Sequence, residues 1–183
     1  WGQVKAGHGW IVERVFMYDE GMMAGAAQVL IRRLPPPFRA FAYIPRGPLC
    51  DPAYREDILE KIETLVKRDY HAVALSVEPD SVEFKKPEGW ILSTNKILPA
   101  ETILLDVTKS ESDLLAGMAK KTRQYIRKSS ADVTIKQIKD QEALEDCLRI
   151  YKQTAARAGF NTHNDQYYRD VFIQMQDHSP IFF

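Results

Sequence analysis

Five basic side chains lie within nine consecutive residues, and no acidic residue interrupts them: Lys120, Lys121, Arg123, Arg127 and Lys128. We call this segment the basic run. Charge runs on predicted helices are usually solvated faces, but this one has more cations than pairing along a helix needs. At low salt such a patch could bind the phosphates of a nucleic acid or of an anionic membrane surface.

A carboxylate, Glu78, is predicted at the end of a buried strand, directly before Pro79. Partial loss of solvent there would raise its pKa and suit it to accepting a proton, whereas an exposed Glu78 would only end the strand or cap a turn. A second strand ends at the turn 43–48, where prolines flank Arg46. The Arg46 guanidinium is expected either to point into a cleft or to bind the carboxyl end of a helix.

Composition limits the classes of protein that fit. The 183 residues are 45% hydrophobic, enough for one good core or two small ones. Lys plus Arg and Asp plus Glu are equal at 25 each, so any site for a polyanion must be local. No apolar run is long enough for a membrane span and no secretory signal is seen, so we expect a cytoplasmic protein. Cys50 and Cys147 are too few for a disulfide framework or a zinc site, and no metal site is predicted.

The first half of the sequence predicts a sheet with one helix. Apolar runs at 10–19 and 25–34 predict a β-hairpin, and 38–44 a third strand that Pro45 ends. Beyond Asp51, apolar residues recur at helical spacing, at Ile58, Ile62, Leu65 and Val66. The run 71–77 predicts a strand covered on both faces, which the helix would connect to the third strand as a parallel crossover.

The second half predicts further strands and helices. We expect strands at 90–93, 102–107, 132–138 and 180–183, and helices at 112–129, at 143–158 and from about 164. The 112–129 helix would bury Leu115, Met118, Thr122 and Ile126, and Gly159 would end the next helix. The whole pattern indicates an α/β protein.

Five segments occur in an order and spacing that resemble the FemABX family of aminoacyl-tRNA-dependent transferases: 1–5 (Trp-Gly-Gln-Val-Lys), 43–48 (Tyr-Ile-Pro-Arg-Gly-Pro), 78–79 (Glu-Pro), 105–108 (Leu-Asp-Val-Thr) and 120–128. The resemblance implies a GNAT-like fold, with a mixed sheet, flanking helices and tandem subdomains. The first subdomain would span 1–105, and 106–183 would be the first part of an incomplete second one.

This resemblance also implies an activity. An amino acid would pass from aminoacyl-tRNA to the amine of the stem peptide of a peptidoglycan precursor, which is nucleotide-linked or lipid-linked, without metal or cofactor. The partners would therefore be this precursor, the charged tRNA and the inner membrane face, touched peripherally.

Roles for single residues follow from the same resemblance. Lys5, Arg46, His163 and Tyr167 would bind the acceptor, Glu78 would handle the proton of the amine, and the basic run would bind tRNA phosphates. His163 stands where relatives carry an arginine, and an imidazole cannot supply that bidentate fork. The structural alternatives are a solvated Lys5 and a Tyr167 packed in a core.

Two other functions remain open at this stage. An acyl-CoA-dependent N-acyltransferase of the same fold normally needs a Gly-rich pyrophosphate loop, which these residues lack. A non-catalytic remnant that binds muropeptide or polysaccharide would need no reaction centre at all.

Overall fold

The computed structural model describes residues 1–80, 83–99 and 101–177, and these residues divide into two compact units. Unit 1 comprises Trp1–Leu98 and His163–Met175, and unit 2 comprises Pro99–Thr162 with the described residues after Met175. The boundary at residue 105 between two GNAT-like subdomains stays a prediction. The compact units divide differently because the last described helix packs with the first one.

Unit 1 is built on a mixed sheet. Its strands are β1 (Ile11–Asp19), β2 (Met22–Arg33), β3 (Ala40–Pro45), β4 (Leu49–Cys50) and β5 (Ala72–Glu78). Their order is β1-β2-β3-β5, with β4 paired to β2; β3 and β5 are parallel and the other pairs are antiparallel. The predicted hairpin and parallel crossover are both confirmed. The hairpin turn is shorter than expected because Glu20 and Gly21 both adopt positive φ, as a two-residue turn requires.

The helices of unit 1 are α1 (Gly2–Gly7), α2 (Arg55–Tyr70) and α6 (Asp165–Met175). Helix α2 buries its predicted stripe, including Ile58, Ile62 and Val66, against one face of the sheet. Successive strand residues point to opposite faces, so Val29 and Ile31 face this core while Leu30 between them faces away. The sheet therefore offers a second face, the one opposite α2, for other contacts.

Helix α1 lies on that second face. A Cβ atom at Gly2 would come within 2.7 Å of Gln28 Oε1 and 3.0 Å of Arg14 Nη2, so the absence of a side chain at Gly2 lets α1 lie close to these two strand residues without displacing them. Val4 of the same helix is fully buried. Helix α6 packs beside α1, which brings a segment from far along the chain to the same face.

Strand β5 was predicted to be covered on both faces, and this is wrong for the described chain. None of its residues is fully buried, and Val73 is 56% exposed. The apolar composition of the strand is thus not matched by burial. β5 is also an edge strand of the described sheet, because it pairs only with β3.

Unit 2 contains α3 (Glu111–Gly117), α4 (Lys120–Asp132) and α5 (Gln141–Ala158). Asp140 caps α5, and Gly159 ends it with a φ of 73°, as predicted. Its core includes Ile138, Leu144, Leu148 and Ala155. The single helix expected at 112–129 is instead two helices, and its predicted inner residue Ile126 is 37% exposed.

Three predicted strands do not form. Residues 90–93 and 102–107 are irregular, and 132–138 contains the end of α4 and only an isolated bridge at Gln137. The described chain offers these segments no extended strand partner, so Ile91 and Leu104 are each 91% exposed. The strand predicted at 180–183 lies outside the described residues. Among the helices that the structure describes, none has the length and apolar content that crossing a bilayer requires.

Candidate substrate-binding site

A cavity of about 720 Å³ lies in unit 1 on the sheet face opposite α2. We call it the sheet cavity. Its walls come from α1 and the residues flanking it, β2, β3 and the turn after it, the segment 97–98 and the start of α6. The lining residues are Trp1, Lys5, Trp10, Gln28, Leu30, Arg32, Tyr43, Pro45, Arg46, Ile97, Leu98 and His163.

Strand alternation explains the floor of the sheet cavity. Gln28, Leu30 and Arg32 are alternate residues of β2, and Leu30 is paired with Tyr43 of β3. All four therefore project from the same face of the sheet. The Arg32 guanidinium lies 5.3 Å from the centre of the Trp10 ring, which holds a second cation beside the cavity.

Lys5 is held by aromatic groups. Its Nζ atom donates a hydrogen bond to the Tyr167 hydroxyl at 3.2 Å, and it lies 5.0 Å from the Trp1 ring centre. Within the described part of the chain no carboxylate forms an ion pair with Lys5. The ammonium charge at this wall is therefore available to an anionic ligand.

Helix α6 supplies Tyr167, the hydrogen-bond partner of Lys5. The Asn164 side chain accepts a hydrogen bond from the Tyr167 N–H at 2.9 Å, which caps the start of the helix. His163 lines the cavity, and its ring stacks on Tyr167 with centroids 4.0 Å apart. His8, at the end of α1, packs on the other side of this cluster at 5.0 Å from the Tyr167 ring.

Arg46 lines the sheet cavity with a backbone φ of 48°, a left-handed conformation that is costly for a residue other than glycine. Its Nη1 atom lies 3.2 Å from Asp80 Oδ1. Arg46 was expected either to point into a cleft or to bind the carboxyl end of a helix. In the structure it lines the sheet cavity, and it pairs with Asp80, a loop carboxylate, rather than with the end of a helix.

Glu78 does not line the sheet cavity, but it forms hydrogen bonds with three residues that do. Its carboxylate accepts a hydrogen bond from the Tyr43 hydroxyl, one from the Ile97 N–H at 2.6 Å and one from the Leu98 N–H at 3.1 Å. Burial alone would raise the Glu78 pKa, but these bonds and the nearby Arg46 charge outweigh it, so the pKa is lowered. The raised pKa expected from the sequence is therefore wrong. Burial and the same contact raise the pKa of Tyr43.

The basic run lies in unit 2, on α4. Arg123 is not free, because its Nη1 atom donates to the carbonyl oxygens of Leu115, Ala116 and Met118 at the end of α3. Lys121 lies 5.6 Å from the Tyr125 ring centre. For the remaining cations of the run, the described residues provide no ion pair, and their side chains are exposed: Lys120, Arg127 and Lys128.

The structure thus brings four predicted residues together, since Lys5, Arg46 and His163 line one cavity and Tyr167 is bonded to Lys5. Sequence reasoning missed the floor formed by Gln28 and Arg32, although their spacing on a predicted strand was a usable signal. Nothing in the sequence marks Ile97 and Leu98. No described group of His, Cys, Asp or Glu side chains could hold a metal ion.

The site and fold define an α/β protein that offers a cation-lined cavity on one face of a mixed sheet. Comparison with a solved structure shows the same fold: the crystal structure of FemX superposes with a TM-score of 0.82 at 23% identity, covering 100% of this chain and 50% of that one. The predicted fold, a GNAT-like mixed sheet with flanking helices, is thereby confirmed.

The sequence model of the FemAB family matches residues 88–183, which is more than half of the chain, and the chain belongs to this family. Among curated proteins it is similar to the Lipid II:glycine glycyltransferases of Staphylococcus haemolyticus, at 24% identity, and of Staphylococcus aureus, at 25%. Each match covers 97% of this chain and 46% of the relative. The chain therefore spans less than half the length of these relatives.

Proposed function

We propose that this chain forms the acceptor-binding part of an aminoacyltransferase that acts on a peptidoglycan precursor. Two kinds of observation support the proposal. The curated relatives are named as glycyltransferases that act on Lipid II, and the sheet cavity has the chemistry that such an acceptor needs.

The observation that carries the proposal is the set of cations at one cavity. Lys5, Arg32 and Arg46 all line the cavity, and Lys5 has no described carboxylate partner. A precursor linked through a diphosphate presents several anionic oxygens, which ammonium and guanidinium groups bind through charge-assisted hydrogen bonds. Lys5 and the Tyr167 hydroxyl, 3.2 Å apart, would bind neighbouring oxygens of this group.

Aromatic rings complete the recognition. Trp1 and Trp10 line the same cavity, and the flat faces of indole rings suit the stacking of a base or the apolar face of a sugar. The stacked His163 contributes one ring nitrogen as a single donor or acceptor. His163 would therefore form one hydrogen bond with a bound acceptor, and not the two parallel hydrogen bonds that an arginine at this position could form.

The proposed reaction is acyl transfer from aminoacyl-tRNA. The acceptor ammonium first loses a proton to solvent or to a base, and the resulting amine attacks the ester carbonyl. The new N–C bond forms and the bond to the tRNA oxygen breaks; the nitrogen gives up a second proton, and the tRNA oxygen takes up a proton and leaves as a hydroxyl. The ester is already activated, so alignment of the reactants and loss of the ammonium proton are the main requirements. The exposed cations of α4 are the proposed surface for the tRNA phosphates. We place the reaction in the cytoplasm, at the inner membrane face that carries the lipid-linked precursor.

Substitution of Lys5 tests the acceptor site. The change Lys5→Ala should weaken binding of a nucleotide-linked muropeptide by roughly tenfold or more, because it removes a charge-assisted bond of about 1.5–3 kcal/mol. Isothermal titration of the protein measures this without any donor. Lys61→Ala, which removes an exposed lysine of α2, is the matched control and should leave the affinity unchanged.

Two results would overturn the assignment. Equal affinity of the Lys5→Ala and Lys61→Ala proteins would make Lys5 a surface residue. Thermal stabilisation by acetyl-CoA but not by muropeptide would favour the acyl-CoA-dependent alternative, since a ligand at 100 times its Kd adds about 2.7 kcal/mol of stability.

A further inference from the structure

We infer that Glu78 is a positioning residue, which fastens the segment 97–98 to the sheet and so holds one wall of the sheet cavity in place. The inference rests on the proposed function for the identity of the ligand, but the fastening itself is a property of the fold. It differs from the role of proton acceptor expected for this carboxylate.

Several hydrogen bonds converge on the Glu78 side chain. The Tyr43 hydroxyl and the N–H groups of Ile97 and Leu98 all donate to the Glu78 carboxylate. Tyr43, Ile97 and Leu98 all line the cavity, and the Glu78 carboxylate joins them as their common acceptor. The Glu78 carbonyl oxygen also accepts from the Gly47 N–H at 3.3 Å, which adds the turn that carries Arg46.

The segment 97–98 belongs to an irregular and exposed part of the described chain. No helix or strand occurs between β5 and α3 in the described residues of that stretch, and Ile97 is 54% exposed. Backbone N–H groups need acceptors, and irregular segments lack the regular ladder that would supply them. A carboxylate acceptor on the rigid end of β5 therefore fixes a segment that would otherwise sample other positions.

The contacts of Glu78 do not suit a role as proton acceptor. Both carboxylate oxygens of Glu78 already accept hydrogen bonds, and the residue is absent from the lining of the cavity. A proton acceptor must be within hydrogen-bond reach of the proton that it removes. The lowered pKa of Glu78 agrees with this conclusion, because it reduces the affinity of the carboxylate for a proton.

The substitution Glu78→Gln tests the inference with a matched control in the same unit. Glutamine keeps the size of the side chain but removes its negative charge, so the bonds from Ile97 and Leu98 are no longer charge-assisted, and one of the two acceptor oxygens becomes an NH2 donor. Glu13→Gln is the control, because Glu13 accepts a hydrogen bond from Tyr70 in an equivalent Tyr–Glu pair away from the cavity.

Amide hydrogen exchange gives the readout that does not depend on any ligand. In the Glu78→Gln protein, the Ile97 and Leu98 amides should exchange at least tenfold faster than in the native protein, whereas Glu13→Gln should leave both rates unchanged. Unchanged exchange at these two amides in the Glu78→Gln protein would overturn the inference. If that protein does not fold, Tyr43→Phe is the substitute variant and Tyr70→Phe is its control. Tyr43→Phe should accelerate exchange of the Ile97 and Leu98 amides by a smaller factor, and Tyr70→Phe should leave both rates unchanged.

Acceptor affinity then separates the two roles of the carboxylate. With a nucleotide-linked muropeptide and no donor, Glu78→Gln should raise Kd by roughly tenfold, corresponding to about 1.4 kcal/mol. A proton acceptor would instead show unchanged Kd and a loss of turnover alone, and that result would also overturn the inference. Faster amide exchange in a protein that binds no muropeptide would leave the fastening supported and the proposed function refuted.

Discussion

His8 and Asp170 show how a single pair of side chains can set the position of a helix. His8 Nε2 lies 2.9 Å from Asp170 Oδ2, and both side chains are mostly buried, at 20% and 24% exposed. The alignment of the two groups does not form a hydrogen bond, so the contact is a close approach of two polar groups. The pair joins α1 to α6 and lies beside Tyr167, the residue that binds Lys5.

Replacing Asp170 should therefore cost stability. Asp170→Asn keeps the size of the side chain but removes the carboxylate that faces His8 Nε2, so it should lower the free energy of unfolding by about 1 kcal/mol. Urea unfolding measures the difference. Asp146→Asn, which removes the exposed partner of Arg149, is the control and should cost clearly less. An equal cost for the two variants would contradict a stabilising contact between α1 and α6.

At the same scale, the family resemblance predicted part of the site. It singled out Lys5, Arg46 and His163, and all three line the cavity. The state of Glu78 could not be predicted, because its pKa depends on donors from Ile97 and Leu98, residues with no distinctive chemistry of their own. A partner that acts through its backbone leaves no trace in the side-chain sequence.

Among the secondary-structure elements, α3 and α4 show where helical periodicity misleads. The apolar spacing across 112–129 is continuous, but Met118 and Ala119 both adopt extended backbone conformations between the two helices. Arg123 stabilises this break by donating to three carbonyl oxygens at the end of α3. A cation near the carboxyl end of a helix is favourable. The sequence around Arg123 does not show whether its charge makes such a contact or is solvated.

Arg123 is accordingly expected to be structural. Arg123→Ala should destabilise the protein by about 1 kcal/mol and lower the helical signal in circular dichroism, because it leaves carbonyl groups of α3 without their donor. Arg127→Ala removes an exposed cation of the same helix and serves as the control, with a change near zero. Equal stability of the two variants would mean that the Arg123 contacts contribute nothing.

The strands β1, β2, β3 and β5 of unit 1 were predictable because each has a partner within the described chain, whereas the two-residue β4 was not predicted. The hairpin is local, and the β3–β5 crossover follows from a strong helix between two apolar runs. Residues 102–107 have an equally strong apolar pattern and form no strand. A strand is stabilised by pairing with its neighbours, so composition predicts it only where the fold supplies them.

For the whole molecule, the decisive feature is the return of α6 to unit 1. Lys5 and Tyr167 are separated by 162 positions and yet share a hydrogen bond. Such a contact closes a very long loop, and its position depends on the packing of every element in between rather than on any local pattern. The site could be predicted to contain both residues only from the family resemblance.

Charge is also distributed over the whole molecule, and this allows a test of the basic run. The net charge is zero, so any long-range attraction of the proposed tRNA donor has to come from local patches. Changing Lys120, Lys121 and Lys128 to glutamate should weaken tRNA binding by at least tenfold at low salt. It should also reduce the slope of log K against log salt by about 0.7–0.9 for each phosphate that the protein no longer neutralises. Arg123 is left intact because its replacement would disturb α3.

The control has the same total charge. Each Lys→Glu change alters the charge by two, so changing exposed Lys61, Lys85 and Lys139 to glutamate repels tRNA equally at long range. A smaller slope for the α4 variant than for this control would locate the phosphates at the basic run. If both variants lose affinity equally and with the same slope, the attraction depends on overall charge alone and α4 is not the tRNA surface. Fluorescence anisotropy of labelled tRNA over a series of salt concentrations decides between these outcomes.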